Sequence, residues 1–281
     1  MKYIIVIITF LISGNFLQAQ INFDINQNKT SHSIISNIGT DAVSFYKISI
    51  DFVQSPFHFD SHDFLMTGII TGVTALSFTL DNSVRKDVKT LHNSSMDNIT
   101  NVGEKFGAGQ YGLALSGAIY LGGQIVQDNE LRKTGVMLAE ALFLDGISTV
   151  LLKVVIGRSR PYTNEGNSDI DFFRITDDDN SLPSGHTSVA FTIATVLSQR
   201  IDNTYASIAL YSFAGLTAFQ RIYADRHWFS DTVLGAALGT VVGLKVVKLN
   251  SENENQSSSV KMNVYPVFSR GSFGAGVVLS F

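Results

Sequence analysis

Three cations, two imidazoles and one carboxylate stand in three short blocks of this chain, and together they are the groups that attack on a phosphate ester needs. Lys153 precedes Arg160-Pro161 by seven residues, Pro183-Ser184-Gly185-His186 follows, and Arg221 precedes His227 by six and Asp231 by ten. Fixed ammonium and guanidinium groups spread phosphoryl charge in the place of a metal ion. Lys153 and Arg160 are close to two helical turns apart, so a helix continuing past Leu152 puts both on one face. Ser184 reads as a helix N-cap, with the free amides of the following turn aimed at one point where an anion fits. A histidine at such a helix start stays neutral, because the helix dipole disfavours its cation, and a neutral imidazole is a nucleophile. His227 and Asp231 are four positions apart, so the carboxylate reaches one ring nitrogen, fixes the tautomer and raises the pKa. That makes His227 the acid for a leaving oxygen, with Arg221 as a bidentate clamp on phosphate oxygens.

Six apolar stretches must carry these blocks: Phe64–Leu80, Phe106–Val126, Val136–Leu152, Thr187–Leu197, Tyr205–Phe219 and Thr232–Val247. Their periodicity and polar joints predict six helices in an all-α antiparallel bundle. Short joints bring the ends near Lys153, His186, Arg221 and His227 to one pole. Scattered glycine and alanine, as in Gly235-Ala236-Ala237-Leu238-Gly239, predict closely packed helices.

Taken singly, each block has an ordinary structural reading as capping charges or a helix-start ion pair. Taken together, Lys153-x6-Arg160-Pro161, Pro183-Ser184-Gly185-His186 and Arg221-x5-His227-x3-Asp231 resemble the tripartite signature of the type 2 phosphatidic acid phosphatase (PAP2) superfamily, which includes class A acid phosphatases and vanadium haloperoxidases. The motifs cover Lys153 to Asp231. One departure stands before the third-block arginine, where Gln220 replaces the family's usual serine. The resemblance implies a PAP2/haloperoxidase-type bundle and a metal-independent phosphoric monoester hydrolase working through a phosphohistidine on His186. In it, His227 oriented by Asp231 protonates the departing alkoxide. Lys153, Arg160 and Arg221 hold the phosphoryl oxygens, and the Ser184 hydroxyl and Gly185 amide complete the cradle. No metal ligands and no cofactor are implied. The alternatives are a soluble periplasmic acid phosphatase, a vanadium haloperoxidase and an inactive envelope structural protein.

Composition bounds the setting. Of 281 residues, 45% are hydrophobic and 16% charged, against a soluble norm of ~25% charged, with mean hydropathy +0.18. A net charge of −4 gives no reason to expect nucleic acid as a partner, and the absence of cysteine removes disulfides and thiolate chemistry. Lys2 before the apolar run Tyr3–Leu11, with Leu17-Gln18-Ala19 ahead of Gln20, reads as an export signal over 1–19; an uncleaved anchor is the alternative. The destination is the cell envelope, membrane-associated or periplasmic. The apolar composition favours a phosphorylated lipid as substrate over a small phosphomonoester, and Phe106 to Gln127 is the uncharged stretch long enough to cross a bilayer. The expected layout is an extended lead-in over 20–60, a phosphatase domain over 61–249, a polar linker over 250–259 and a β-hairpin tail over 260–281.

Overall fold

A computed structural model describes residues 4–6, 34–174, 176, 178–257, 261–269 and 272–280. The expected export signal therefore lies, apart from Ile4–Val6, outside the described residues. The chain divides into two compact units, Met1–Ser44 with Asn250–Phe281, and Phe45–Leu249.

Nine α-helices are present among the described residues, not six: α1 Ile34–Gln54, α2 Ser61–Phe78, α3 Asp81–Lys89, α4 Ser94–Gly107, α5 Gly109–Val126, α6 Asn129–Ile156, α7 Gly185–Ile201, α8 Thr204–Tyr223 and α9 Phe229–Ser257. Each of the six expected stretches is helical over most of its length. The extra three are α1, α3 and α4. The lead-in over 20–60 is thus not extended where it is described, and the linker expected over 250–259 is helical as far as Ser257. Asn, Ser and Asp supply polar faces there, so an apolar-run criterion passes them by. The expected helix across Phe106–Val126 breaks at Ala108, whose extended backbone separates α4 from α5.

Helix starts are set by side-chain caps. Asp60 and Asp63 form a reciprocal capping box on α2, Asn93 Oδ1 accepts from the Met96 amide of α4 at 2.9 Å, Asp128 Oδ1 accepts from the Glu130 and Leu131 amides of α6 at 2.9 and 3.0 Å, and Asn203 caps α8. Each satisfies donors the helix itself cannot.

The core of Phe45–Leu249 joins Ile48 of α1, Met137, Leu138, Ala141, Leu142 and Leu144 of α6, Ile193, Val196 and Leu197 of α7, and Val242 and Val246 of α9. Backbone approach fixes α7 between its neighbours. A Cβ at Gly239 of α9 would lie 2.1 Å from Ser188 O, one at Gly235 2.6 Å from Ser184 O, and one at Gly107 of α4 2.6 Å from His186 O. The glycine-rich packing expected from the sequence is therefore what seats the start of α7.

In the other unit, where a two-stranded hairpin was expected, strands β2 Lys261–Ser269 and β3 Ser272–Ser280 pair antiparallel, and β1 Ile4–Val6 adds to β3, giving the order β1-β3-β2.

Candidate active site

The first block does not lie on one helical face. Gly157 ends α6 with φ 57°, a conformation open to glycine, and its amide donates to Lys153 O at 2.9 Å. A Cβ there would also strike Asp171 O at 1.9 Å. The chain then leaves the helix, so Lys153 reaches the site from the last turn of α6 and Arg160 from the loop beyond, just before the short 3-10 turn Pro161–Thr163.

A cavity of about 390 Å³ is lined by Arg160, His186 and Arg221, with Glu104, Gln220, Ala224 and Arg226 around them. Lys153 Nζ donates to Asn180 O and, at 3.4 Å, to Ser181 O, on the loop leading into α7. Its Cε lies 4.0 Å from the position a Cβ would take on Gly185. Arg221 is 7% exposed. Its Nη1 donates to Gln220 Oε1 at 3.1 Å and lies 4.0 Å from Glu104 Oε1, while its Nε is buried with no hydrogen-bond partner. A buried guanidinium N–H without an acceptor is costly, and an anion in the cavity satisfies it. Burial and the neighbouring Arg160 and Arg226 draw Arg221 down to about 10, with Glu104 opposing. Gln220, the departure from the usual serine, turns its amide oxygen to Arg221 and its nitrogen toward Glu104 at 3.5 Å. It braces the clamp rather than facing the cavity centre.

Ser184 stands at the N-cap of α7, but its side chain makes no capping bond. It is fully buried; its Oγ accepts from Thr187 Oγ1 at 2.9 Å and its amide donates to Asp231 O at 3.0 Å. Gly185 and His186 open the helix, whose first-turn amides have no acceptor within it. Burial first, then Arg221, Lys153 and Arg160, hold His186 down at about 4, so its ring is neutral near pH 7.

His227 precedes α9 and is 4% exposed, and Asp231 lies in that helix's first turn, fully buried. His227 Nδ1 lies 3.4 Å from Asp231 Oδ2, close enough for an ion pair yet outside good hydrogen-bond geometry. Asp231 does pull the His227 pKa upward as expected, but the net shift is downward, to about 3. Burial dominates and lowers it, Lys153 and Arg221 add to the lowering, and Asp231 only opposes them. The same cations act on both imidazoles, so both belong to one electrostatic site.

Residues outside the motifs pin this geometry. The turn from Arg221 to His227 is closed by the Arg226 and His227 amides on Arg221 O at 3.1 and 3.2 Å. Asp225 in that turn is gripped by Arg85 of α3 at 2.6 and 2.7 Å and by Lys89 at 3.0 Å. Arg158 is fully buried between Asp81 and Asp231, and Trp228 Nε1 donates to Ser159 O at 2.9 Å. The Gly157-Arg158-Ser159-Arg160 run carried a signal for Arg158 inside the first block, but Asp81 and Arg85 had none. Of the acidic run beside the second block, Asp179 is 3% exposed and paired with Arg174 Nε at 3.0 Å, and Asp178 accepts from Tyr162 Oη at 2.7 Å. Asp179 is thus a buried structural acid and Asp178 an exposed one, while Asp177 lies outside the described residues.

Residues 134–254, which contain all three blocks, match the PAP2 superfamily. This stretch, rather less than half of the chain, is PAP2-like. A solved PAP2 structure, the first transmembrane PAP2-type phosphatidylglycerolphosphate phosphatase from Bacillus subtilis, aligns over 75% of this chain and 96% of its own, with TM-score 0.50 and 18% identity, which bears on the fold. Two Porphyromonas gingivalis proteins are similar in sequence. Its lipid A 1-phosphatase is 46% identical over 66 residues, 23% of this chain and 15% of that protein. Its lipid A 4'-phosphatase is 27% identical over 119 residues, 41% of this chain and 50% of that protein. The matches thus span half the length of these curated relatives or less.

Proposed function

We propose that this chain is a phosphoric monoester hydrolase of the PAP2 type, acting on lipid phosphates of the lipid A class through a phosphohistidine intermediate. The observation that carries the reading is one cavity lined by His186, Arg160 and Arg221, with Lys153 and Arg221 acting on both His186 and the Asp231-paired His227. The phosphatase domain is assigned to 61–249.

The steps follow from the groups. Arg160, Arg221 and Lys153 hold the phosphoryl oxygens, helped by the Gly185 amide, with Ser184 fixing the loop from beneath. Neutral His186 attacks phosphorus in line; the N–P bond forms as the P–O bond to the lipid breaks. His227 gives its proton to the departing oxygen, then takes one from the water that cleaves the N–P bond and releases phosphate. Burial, aided by Lys153 and Arg221, keeps His227 neutral in the free enzyme; an entering phosphate offsets those two cations and adds its own negative charge beside the ring. The imidazolium thus forms on substrate binding, with the proton brought by a phosphate monoanion.

Lipid as substrate is supported by apolar length near the site. α6 and α9, the latter over Phe229–Glu254, are long and apolar enough to cross a membrane, and α2 with α3, bent by 57°, form a candidate third span. These are not the stretch the sequence pointed to, Phe106–Gln127. α6 qualifies despite Glu140 and Asp145, which are fully buried inside the bundle. Export to the envelope remains part of the proposal on the strength of Lys2 and the apolar run after it.

Phosphate release from a panel of lipid A, phosphatidate, prenyl diphosphate and an aryl phosphate tests the reading. Lipid A is expected to be the best substrate, with a positioned nucleophile contributing at least ~10³-fold, so that His186→Ala abolishes turnover of all. Acid-labile phosphate on His227→Ala, absent on His186→Ala, would mark the intermediate. No turnover of any member by the purified wild type would end the proposal.

A further inference from the structure

Arg158 is outside the residues that line the cavity and is fully buried. Its Nη1 donates to Asp231 Oδ1 at 2.5 Å and Ser230 Oγ at 2.7 Å, its Nη2 to Asp81 Oδ2 at 2.6 Å, and its Nε to Asn167 O at 2.9 Å. The guanidinium also lies 3.9 Å from the ring centroid of Phe78 and 5.5 Å from that of Trp228. Asp81, the first residue of α3, is also held by Ser230, its Oδ1 and Oδ2 accepting from the Ser230 amide and hydroxyl, both at 2.8 Å. One cation is therefore shared between two fully buried carboxylates.

We infer that Arg158, shared between Asp81 and Asp231, is a positioning residue that fixes which edge Asp231 turns to His227 and how much negative charge reaches that imidazole. The inference rests on the phosphatase reading for its catalytic meaning. Arg158 occupies Oδ1 of Asp231, so the carboxylate cannot rotate. Oδ2 then accepts from the Trp228 amide at 2.9 Å and from Ser181 Oγ, and faces His227 Nδ1. Were Arg158 paired with Asp231 alone, the pair would be neutral and would support an imidazolium weakly. With Asp81 drawing on the same guanidinium, the triad keeps a net negative charge next to His227. The other charged groups that act on His227 are Lys153 of α6 and Arg221 of α8, both cations. Asp231 is the acidic group that acts directly on it, so its charge is the protein's own pull toward protonation, beside that of a bound phosphate.

A purely structural ion network and a positioning one differ in sign. Asp81→Asn leaves Arg158 wholly to Asp231 and is expected to move the alkaline limb of the kcat profile to lower pH by about 0.5–1 unit. Arg158→Gln frees Asp231 and is expected to move the limb upward, the double variant returns it toward wild type, and KM stays within about twofold throughout. Limbs that stay in place, or that move the same way in both variants, would overturn the inference. If Arg158→Gln does not fold, the isosteric Asp81→Asn decides alone, an unmoved limb refuting the idea. Titration of labelled histidine rings by NMR, with His227 assigned by His227→Gln, reads the same opposite shifts without turnover. A wild type lacking activity would therefore strike the phosphatase reading, while the ring titration would still judge the role of Arg158.

Discussion

His186 stands at a helix start among three cations, and that combination decides how the site responds to pH. Its pKa is lowered to about 4 by burial and by Arg221, Lys153 and Arg160, so the neutral form persists as pH falls through 6.5 and is lost only near 4. His227 is likewise neutral in the empty site, so the proton for the leaving group comes with a monoanionic phosphate, whose second pKa is about 6. The kcat/KM profile is therefore expected to form a plateau between about pH 4, set by His186, and about pH 6, set by the substrate. Profiles measured with two esters of different phosphate pKa check this: the upper limb should follow the ester and the lower should not. A lower limb at 6.5 would mean His186 is an unperturbed histidine and not the one held in this cavity. The blocks made Lys153, Arg160, His186, Arg221, His227 and Asp231 legible, because residue type and spacing are written in the chain. The downward shift of His227 was not legible, since it arises from burial and from cations on α6 and α8 that are distant in sequence. Gln220 could be seen as a departure but not as a brace, since its partner Glu104 is 116 residues away.

Among elements, α7 is the one on which the site depends, and backbone contact with α9 holds it in register. Gly239 would place a Cβ 2.1 Å from Ser188 O and 2.9 Å from Thr192 N, and Thr192 Oγ1 donates to Gly239 O at 3.2 Å. Carbonyl and amide groups of a helix cannot swing aside as a side chain can, so Gly239→Ala must separate the two helices. A cost of about 1–3 kcal/mol is expected, as for overpacked interiors. Because Asp231 rides on α9 and His186 on α7, kcat should fall with it. Gly215 of α8 has nothing within 4 Å of a built Cβ, so Gly215→Ala serves as the control and should be neutral or stabilising by about 0.5–1 kcal/mol. Detergent-solubilised unfolding curves for the two variants would check the contrast; equal stability would mean the α7–α9 contact is not tight. The glycine pattern was readable as close packing. The helices α3 and α4 were not, since their polar faces are spent on other elements: Arg85 and Lys89 on Asp225, and Asp97 on Tyr223 Oη.

For the whole molecule, the question is what covers the apolar surface that the bundle leaves outside. On α6, Phe143, Ile147, Val150 and Leu151 are 49, 42, 58 and 60% exposed, and on α9 Val241 and Leu244 are 46 and 45% exposed. A soluble bundle would not leave rows of this kind in water. At 1.5 Å per residue the 28 residues of α6 reach about 42 Å, more than a hydrocarbon core of ~30 Å requires. Lys153, in the last turn of α6, acts on His186 of the cavity, and Asp231, in the first turn of α9, lies beside His227, so each apolar helix has an end at the candidate site. A bilayer around them would leave that cavity at one face, where a lipid headgroup lies. High-salt and alkaline carbonate washes of envelope membranes are therefore expected to leave the protein in the pellet, with nonionic detergent releasing it in active form. Ile147→Asp with Leu151→Asp should weaken insertion, since aspartate at the centre of a span costs roughly 2.5–3.5 kcal/mol per residue, while the buried core beside them is untouched. Complete release of the wild type by salt would remove the bilayer from the argument, and with it the reason for preferring a lipid to a small phosphomonoester.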